Sequence, residues 1–149
     1  MTSPAVRVDN AVEKVGRDWR ITKDLKVAIT GNRASDIGDV FKDFGFSVVE
    51  NEADYFVRVE IQNLGSGRAW RYYIYSAKTR LKITDSNTGK EYYCKADGEF
   101  RLFKSAYGGI NSTHHYPHDP YGLAAKIAAA EAIGDFIYAA HIPHCRPKK

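Results

Sequence analysis

The sequence is poor in the residues that cross-link chains and in the segments that span membranes. It has two cysteines and one methionine among 149 residues, and it has no run of about 18 apolar residues from which a membrane-spanning helix is built. Its first residues lack the basic region and apolar core of an intact signal peptide. Its 22 basic residues are interspersed with 18 acidic residues and form no stripe. Nucleic-acid-binding proteins usually gather positive charge on one face, so this pattern disfavours that class.

What the chain has in excess is aromatic residues. Ten residues are tyrosine, and aromatics make up 13% of the chain. A tyrosine ring buries a large area and keeps a polar tip, so this excess favours a half-exposed sheet face or an interaction surface. The length fits one domain, which we place at residues 19–141, between an N-terminal arm (1–18) and a C-terminal tail (142–149).

The clearest local pattern is the alternation of Tyr55, Val57, Val59 and Ile61 with residues that point the other way. A period of two predicts a strand that is buried on one face only. Further strands that alternate in the same way, joined by turns, predict an α+β fold. We expect a single-layer, mostly antiparallel sheet of four to five strands with two main helices packed on one face.

The other strands and turns follow from composition. We predict a long strand at 70–84 with a bulge near 76–77, a returning strand at 91–103 and short strands at 19–21, 26–30 and 47–49. Residues 63–67 contain two glycines and predict a flexible turn. Gly98 indicates a bend in its strand. Residues 104–122 are aperiodic and predict a long loop.

Two helices complete the predicted architecture. The first runs from Asp36 to Phe44, with Ser35 as the N-cap and Gly45 in the left-handed position after the helix end. The second runs from Leu123 to His141. Six of its residues fall within one narrow wedge at 100° per residue: Leu123, Ile127, Ala130, Gly134, Ile137 and Tyr138. Its back is alanine as well, which either reflects helix propensity alone or indicates a helix covered on two sides, by its own sheet and by a neighbouring subunit or segment.

The densest group of titratable residues is the set His114, His115, His118 and Asp119. Imidazole and carboxylate are the ligands that borderline metals prefer, so these residues are the candidate metal site. The segment contains prolines and no helical pattern that would place the imidazoles on one face. A solvated loop that happens to be rich in histidine is the alternative. The turn at 31–35 is a weaker candidate, because its backbone N–H groups and Arg33 would suit an anion.

A second candidate surface combines basic and aromatic residues on the strand that begins near residue 70. Protein interfaces concentrate binding energy in Tyr, Trp and Arg, and single-stranded nucleic acid also binds such strands. We favour protein contact, to which the tyrosines of the long loop would contribute. The candidate partner-binding residues are Arg68, Trp70, Arg71, Tyr73, Tyr75, Tyr107, Tyr116 and Tyr121.

The two cysteines, Cys94 and Cys145, are not in a Cys-x-x-Cys pair. They are either two unrelated thiols or a disulfide that ties the tail to the sheet. The disulfide is the expectation only if the protein is exported.

The layout resembles that of a known group of proteins. The first core strand Lys26–Thr30, the segment Glu52–Tyr55 and the hairpin of Ile83–Asp85 with Thr88–Lys90 are similar to the soluble α/β domains of bacterial outer-membrane-associated lipoproteins. Examples are the curli-secretion lipoprotein and the penicillin-binding-protein activators. The resemblance implies a non-enzymatic adaptor with no catalytic residues and no cofactor. A lipidation cysteine near the start is lacking.

The leading hypothesis is therefore a protein-binding adaptor of the bacterial cell envelope. Its partner would be another envelope protein or a second copy bound through the alanine-rich helix, with membrane attachment only through a lipid anchor that this sequence lacks. We expect a periplasmic or outer-membrane-associated location if a signal sequence was removed, and a cytoplasmic one otherwise. The alternatives are a metal-dependent enzyme or metal-binding protein at His114–Asp119, a nucleic-acid-binding module, and a toxin-immunity protein.

Overall fold

The computed structural model describes residues 18–69, 72–103 and 119–145. Five strands and two helices follow one another along these residues: β1 (Lys26–Gly31), α1 (Ala34–Asp43), β2 (Ser47–Val48), β3 (Tyr55–Ala69), β4 (Tyr72–Asp85), β5 (Glu91–Phe103) and α2 (Pro120–Ala139). They form one sheet in the order β2-β1-β3-β4-β5. The predicted α+β class and mostly antiparallel sheet are confirmed.

The sheet is mixed, because the first βαβ unit supplies parallel strands and the rest is a meander. β1 pairs in parallel with both β2 and β3. β3 with β4 and β4 with β5 pair antiparallel over nearly their full lengths. Both helices pack on the same side, which we call the inner face; the other side of β3, β4 and β5 is the outer face. No described helix is long and apolar enough to cross a membrane.

Side chains alternate between the two faces as their polarity requires. Val57 and Val59 on β3 and Leu81 and Ile83 on β4 are at most 2% exposed. Their neighbours in sequence point to the outer face and are exposed or half-exposed. Thr79 is the one buried polar residue among those described, and its hydroxyl donates a hydrogen bond of 3.0 Å to the carbonyl oxygen of Ala125 on α2. The alternation predicted for this part of β4 is confirmed.

Residues 63–67 are not a turn, because β3 continues through them. The register with β4 shifts by one residue between Asn63 and Gly65, which leaves Leu64 as an extra residue on β3. The shift lies opposite Ala77 and Ser76 of β4, where the bulge was predicted, but the extra residue is on β3. Gly65 has a φ of 115°, and a bulge uses glycine in this conformation to absorb the extra residue. The glycine-containing residues 63–67 are therefore part of a strand, and they lengthen the antiparallel pair of β3 and β4.

Helix α1 begins differently from the prediction and ends as predicted. Its N-cap is Arg33, in the left-handed conformation and without a side-chain cap, so Ser35 does not cap it. At the other end Gly45 has a φ of 99°. The N–H of Gly45 donates to the Lys42 carbonyl and that of Phe46 to the Phe41 carbonyl. This pair of bonds is the Schellman motif, and the Phe41 and Phe46 rings meet 5.3 Å apart behind it.

Helix α2 begins at Pro120, inside the predicted loop, and turns the opposite side to the sheet from the one predicted. Its alanines are the buried side: Ala124, Ala125, Ala128, Ala129 and Ala132 are 0% exposed. Of the predicted wedge, Ala130 and Ile137 are buried at its edge. Leu123, Ile127 and Gly134 are only half-buried, and Tyr138 is 72% exposed. The sheet of the same chain covers the alanine side of α2, so a second copy bound through this helix would contact its other side.

The alanines matter because the helix and sheet backbones nearly touch. A Cβ atom on Gly98 of β5 would overlap the carbonyl oxygen of Ala124 and lie 2.7 Å from the Ala128 nitrogen. Gly98 is thus a point of close backbone approach, where the sequence had indicated a bend.

The first and last residues that the structure describes contact each other. Only Ile21 of the predicted 19–21 strand pairs, through an isolated bridge to His144. The Trp19 and His144 rings stack 5.1 Å apart, and Ile142 is 4% exposed within the core. The first residues of the predicted tail therefore complete the core.

We predict that Gly98→Ala lowers the free energy of unfolding by about 2–3 kcal/mol, because the added methyl group has no space against α2. The melting temperature should fall by roughly 5–10 °C. Gly67→Ala is the matched control, since Gly67 lies on β3 with nothing near its Cβ position. Thermal unfolding of both variants checks this, and equal melting temperatures would contradict the close approach.

Candidate binding surfaces

Three tyrosines gather where the helical cover of the inner face ends. Tyr73 and Tyr75 lie near the start of β4 and Tyr121 in the first turn of α2, and all three are half-buried. The Tyr75 and Tyr121 rings meet edge to face, with centroids 5.4 Å apart. Tyr73 and Tyr75 also border a small core that includes Ala77 and Phe100. We call Tyr73, Tyr75 and Tyr121 the tyrosine cluster.

An ion pair joins the first turns of the two helices beside this cluster. The guanidinium of Arg33 contacts both carboxylate oxygens of Asp119, with Nη2 3.1 Å from Oδ1. Asp119 is the N-cap of α2, and its Oδ1 accepts a hydrogen bond of 3.0 Å from the N–H of Gly122. Hydrogen bonding from Arg33 is the main cause that lowers the pKa of Asp119, and it outweighs the opposing effect of burial. The Asp119 carboxylate is therefore ionised, and in this form it caps α2 and binds Arg33.

This pairing bears on two candidates that the sequence had kept apart. Asp119 was a candidate metal ligand and Arg33 a candidate anion binder, but they bind each other. His114, His115 and His118 lie outside the described residues. Within the described ranges no group of three or more His, Cys, Asp or Glu side chains is placed to hold a metal ion. A metal bound through Asp119 would compete with Arg33 for the carboxylate.

The two cysteines are both free thiols in this structure, which corresponds to the first of the two alternatives that the sequence left open. Cys94 lies on β5 opposite Leu81 and is half-buried, whereas Cys145 is exposed. Burial is the main cause that raises the pKa of Cys94, and the Asp135 carboxylate adds to it. A thiol with a raised pKa stays protonated near neutral pH, so Cys94 is a poor nucleophile.

The outer face carries ordered rows of charge across β3, β4 and β5. Register places Arg58, Lys82 and Tyr93 in one row. The next row contains Glu60, Arg80 and Lys95. These side chains are exposed, and they surround a shallow depression of about 610 Å³. We call this depression the basic groove; its outer-face side chains are Arg58, Glu60, Arg80, Lys82, Tyr93 and Lys95.

Ion pairs occur at the two ends of this face. Lys78 lies 3.9 Å from Asp97, and Lys82 lies 3.5 Å from Glu91. The Tyr93 hydroxyl donates a hydrogen bond of 2.6 Å to Glu91. That bond is the main cause that lowers the pKa of Glu91 and raises the pKa of Tyr93. The Tyr93 ring is 72% exposed at the edge of the groove. Sequence reasoning missed this surface because its residues come from three strands, and only the register brings them together.

The other predicted contact residues are only partly described. Arg68 pairs with Tyr73 in the β3–β4 register. Trp70, Arg71, Tyr107 and Tyr116 lie outside the described residues. Of the predicted surface, the structure thus brings together Tyr73, Tyr75 and Tyr121, which the sequence had placed on a strand and a loop.

No protein-family model and no curated protein sequence matches the chain. Solved structures do match. A minor lipoprotein from Acinetobacter baumannii is 13% identical, with a TM-score of 0.50 over 84% of this chain and 98% of that chain. A protein described as a lipoprotein from Caulobacter crescentus is 14% identical, with a TM-score of 0.46 over 91% and 96%. A PelC dodecamer from Paraburkholderia phytofirmans is 9% identical, with a TM-score of 0.40 over 77% and 88%.

The likeness to the Acinetobacter structure shows that this chain has the fold of a bacterial lipoprotein. The resemblance to soluble lipoprotein domains that the sequence predicted is confirmed at this level, the level of fold.

We predict that Asp119→Ala lowers the free energy of unfolding by about 1–2 kcal/mol, because it removes the cap of α2 and the partner of Arg33. Asp119→Asn is the matched control: its side-chain oxygen still caps the helix, so the loss should be about 0.5 kcal/mol. Urea unfolding at neutral pH checks the order of the two.

The pH dependence of the same variants gives a second check. The pKa of Asp119 is lower in the folded than in the unfolded chain, so its charge stabilises the fold above the unfolded pKa of about 3.9. That contribution is lost as the pH falls through the folded pKa. The difference between wild type and Asp119→Asn should therefore vanish in acid, and a difference that persists there would exclude the charge as its cause.

We predict that the native protein reacts with a thiol reagent in two phases. Cys145 should react rapidly because it is exposed. Cys94 should react at a rate lower by about tenfold or more, because it is half-buried and protonated. Cys145→Ser should leave only the slow phase. Absorbance after addition of a disulfide reagent checks this, and two thiols that appear only after reduction would instead demonstrate a disulfide.

Proposed function

We propose that this protein is a non-enzymatic protein-binding domain of the bacterial cell envelope, which contacts its partner through the tyrosine cluster. The observation that carries the proposal is the meeting of Tyr75 with Tyr121 at the end of the helical cover. Tyrosine, with a large rigid ring and a polar tip, is enriched among residues that dominate protein interfaces. The envelope placement is supported by a fold shared with a protein whose name describes a lipoprotein.

The position of the cluster supports contact with a protein. β3 pairs with β1 only as far as Val59, and the amide of Asn32 then bonds both the N–H and the carbonyl of Ile61, at 3.0 and 3.2 Å. Beyond Ile61 the ribbon of β3, β4 and β5 continues without β1 beside it. Tyr73 and Tyr75 lie on this extension, opposite Arg68 and Ser66 of β3, so a partner can approach both the rings and the ribbon.

The non-enzymatic part of the proposal is supported by how the reactive groups are used. The Asp119 carboxylate caps a helix and binds Arg33. The raised pKa of Cys94 keeps the only half-buried thiol protonated. The remaining predicted contact residues, Arg68, Trp70, Arg71, Tyr107 and Tyr116, would extend the same surface.

We predict that a photoreactive benzoyl-phenylalanine in place of Tyr73 gives one discrete cross-linked protein in cells of the source bacterium. The same label in place of Tyr138, about 25 Å along α2 from Tyr121, should give none. Tyr138 suits the control because it is 72% exposed. Immunoblotting and mass spectrometry of the product check this.

A substitution tests whether the cluster supplies binding energy. In the chain labelled at position 73, Tyr121→Ser should reduce the cross-linked product by about fivefold or more, since an interface anchor contributes more than about 1 kcal/mol. Equal products from labels at 73 and 138, or a yield that Tyr121→Ser leaves unchanged, would reject the assignment. Circular dichroism of the purified variant confirms that it is folded.

A further inference from the structure

The basic groove contains a charge arrangement that folding does not require. Register places Arg58 directly opposite Lys82, and Arg80 directly opposite Lys95. Residues opposite each other on antiparallel strands have Cβ atoms about 5 Å apart, and like charges there are destabilising. The side chains are exposed, so no packing constraint favours a cation at any of these positions.

Most of this charge has no ion-pair partner among the residues that the structure describes. Lys82 has Glu91 at 3.5 Å. Arg58, Arg80 and Lys95 form no ion pair with any residue that the structure describes, although Glu60 stands beside Arg80 in the register. The repulsion between the opposed cations is therefore not offset by an ion pair at Arg58, Arg80 or Lys95 within the described ranges.

We propose that the basic groove binds an extended acidic segment of a partner protein, whose carboxylates lie between the opposed cations. Arginine presents two parallel N–H donors to a carboxylate, which gives geometric specificity as well as attraction. The exposed Tyr93 ring, held by its bond to Glu91, adds the aromatic contact that protein interfaces favour.

The spacing of the cations fits an extended segment. The two like-charged pairs lie two residues apart along β4, about 7 Å, and are offset by one strand spacing of about 4.8 Å, because the first pair joins β3 to β4 and the second joins β4 to β5. In an extended peptide that crosses β4 obliquely, the side chains on one face repeat about every 7 Å, close to the resulting separation of about 8 Å. A segment with an acidic residue at every second position would thus place one carboxylate at each pair.

The distribution of charge argues against a broad anionic surface. The outer-face positions of the long strands carry charge of both signs, with six cations (Arg58, Lys78, Arg80, Lys82, Lys95 and, by register, Arg101) and four acidic residues (Glu60, Glu91, Asp97, Glu99). A membrane or a nucleic-acid backbone would meet the acidic residues as well as the cations. A narrow acidic segment meets only the centre, where the cations predominate.

The test uses a fluorescein-labelled octapeptide of alternating serine and glutamate, with the serine and glutamine octapeptide as the control ligand. Fluorescence anisotropy should show saturable binding of the acidic peptide only, and binding should weaken as sodium chloride rises from about 50 to about 200 mM. The double variant Arg58→Gln, Lys95→Gln should bind about tenfold more weakly. Lys78→Gln is the matched control, because Lys78 is already paired with Asp97 on the same face.

The melting temperature distinguishes a binding role of these cations from a purely structural role, because the two roles predict changes of opposite sign. Removing one member of each like-charged pair should raise the melting temperature of the double variant by about 1–3 °C, whereas loss of structural residues would lower it. The proposal is overturned by an absence of saturable binding up to about 1 mM peptide, by equal affinities of the double variant and Lys78→Gln, or by tighter binding of an oligothymidine of equal charge. The groove lies on the face opposite the tyrosine cluster, so either result leaves the cross-linking test independent.

Discussion

The close approach of α2 to the sheet is the constraint on which the rest of the fold depends. Gly98 has no side chain, and the alanines of α2 have one carbon each, so the two backbones come near enough for the Thr79 hydroxyl to reach the Ala125 carbonyl. A helix lined with leucine would stand several ångströms further away, since interaxial distances follow the side chains at the contact. The small residues therefore set the height of the helix above β4 and β5.

That height determines which surfaces remain for binding. Because α2 packs closely on the inner face, its first turn lies near the start of β4, where Tyr121 contacts Tyr75. The Arg33–Asp119 pair fixes this first turn to the start of α1, so the tyrosines are held by both helices. The outer face receives no described element, and its charge is organised by strand register alone. The tyrosine cluster thus depends on the packing of α2, whereas the basic groove depends on the strand register.

The sequence predicted the parts of this fold that local signals determine. Alternation in β3 and β4 marked the buried side chains, and Gly45 with Phe46 marked the end of α1. The face of α2 was predicted wrongly because the wedge was chosen from the spacing of its residues along the helix, whereas the close approach at Gly98 leaves room only for small side chains such as Ala124 and Ala128. That packing distance depends on Gly98 in the assembled sheet, so the sequence of the helix alone does not predict it. The start of α2 could have been found, since Asp119 followed by Pro120 is a strong N-cap and first-turn signal.

The candidate surfaces show the same division between local and assembled information. Tyr73 and Tyr75 were recognised because they are adjacent in sequence, but Arg58, Arg80 and Lys95 are scattered and became a group only through the β3–β4–β5 register. Like-charged neighbours on an exposed sheet lower stability without improving the core. Proteins retain such local conflicts mainly where they serve a function. The opposed cations are therefore a stronger indication of binding than the tyrosines, whose rings also contribute to packing.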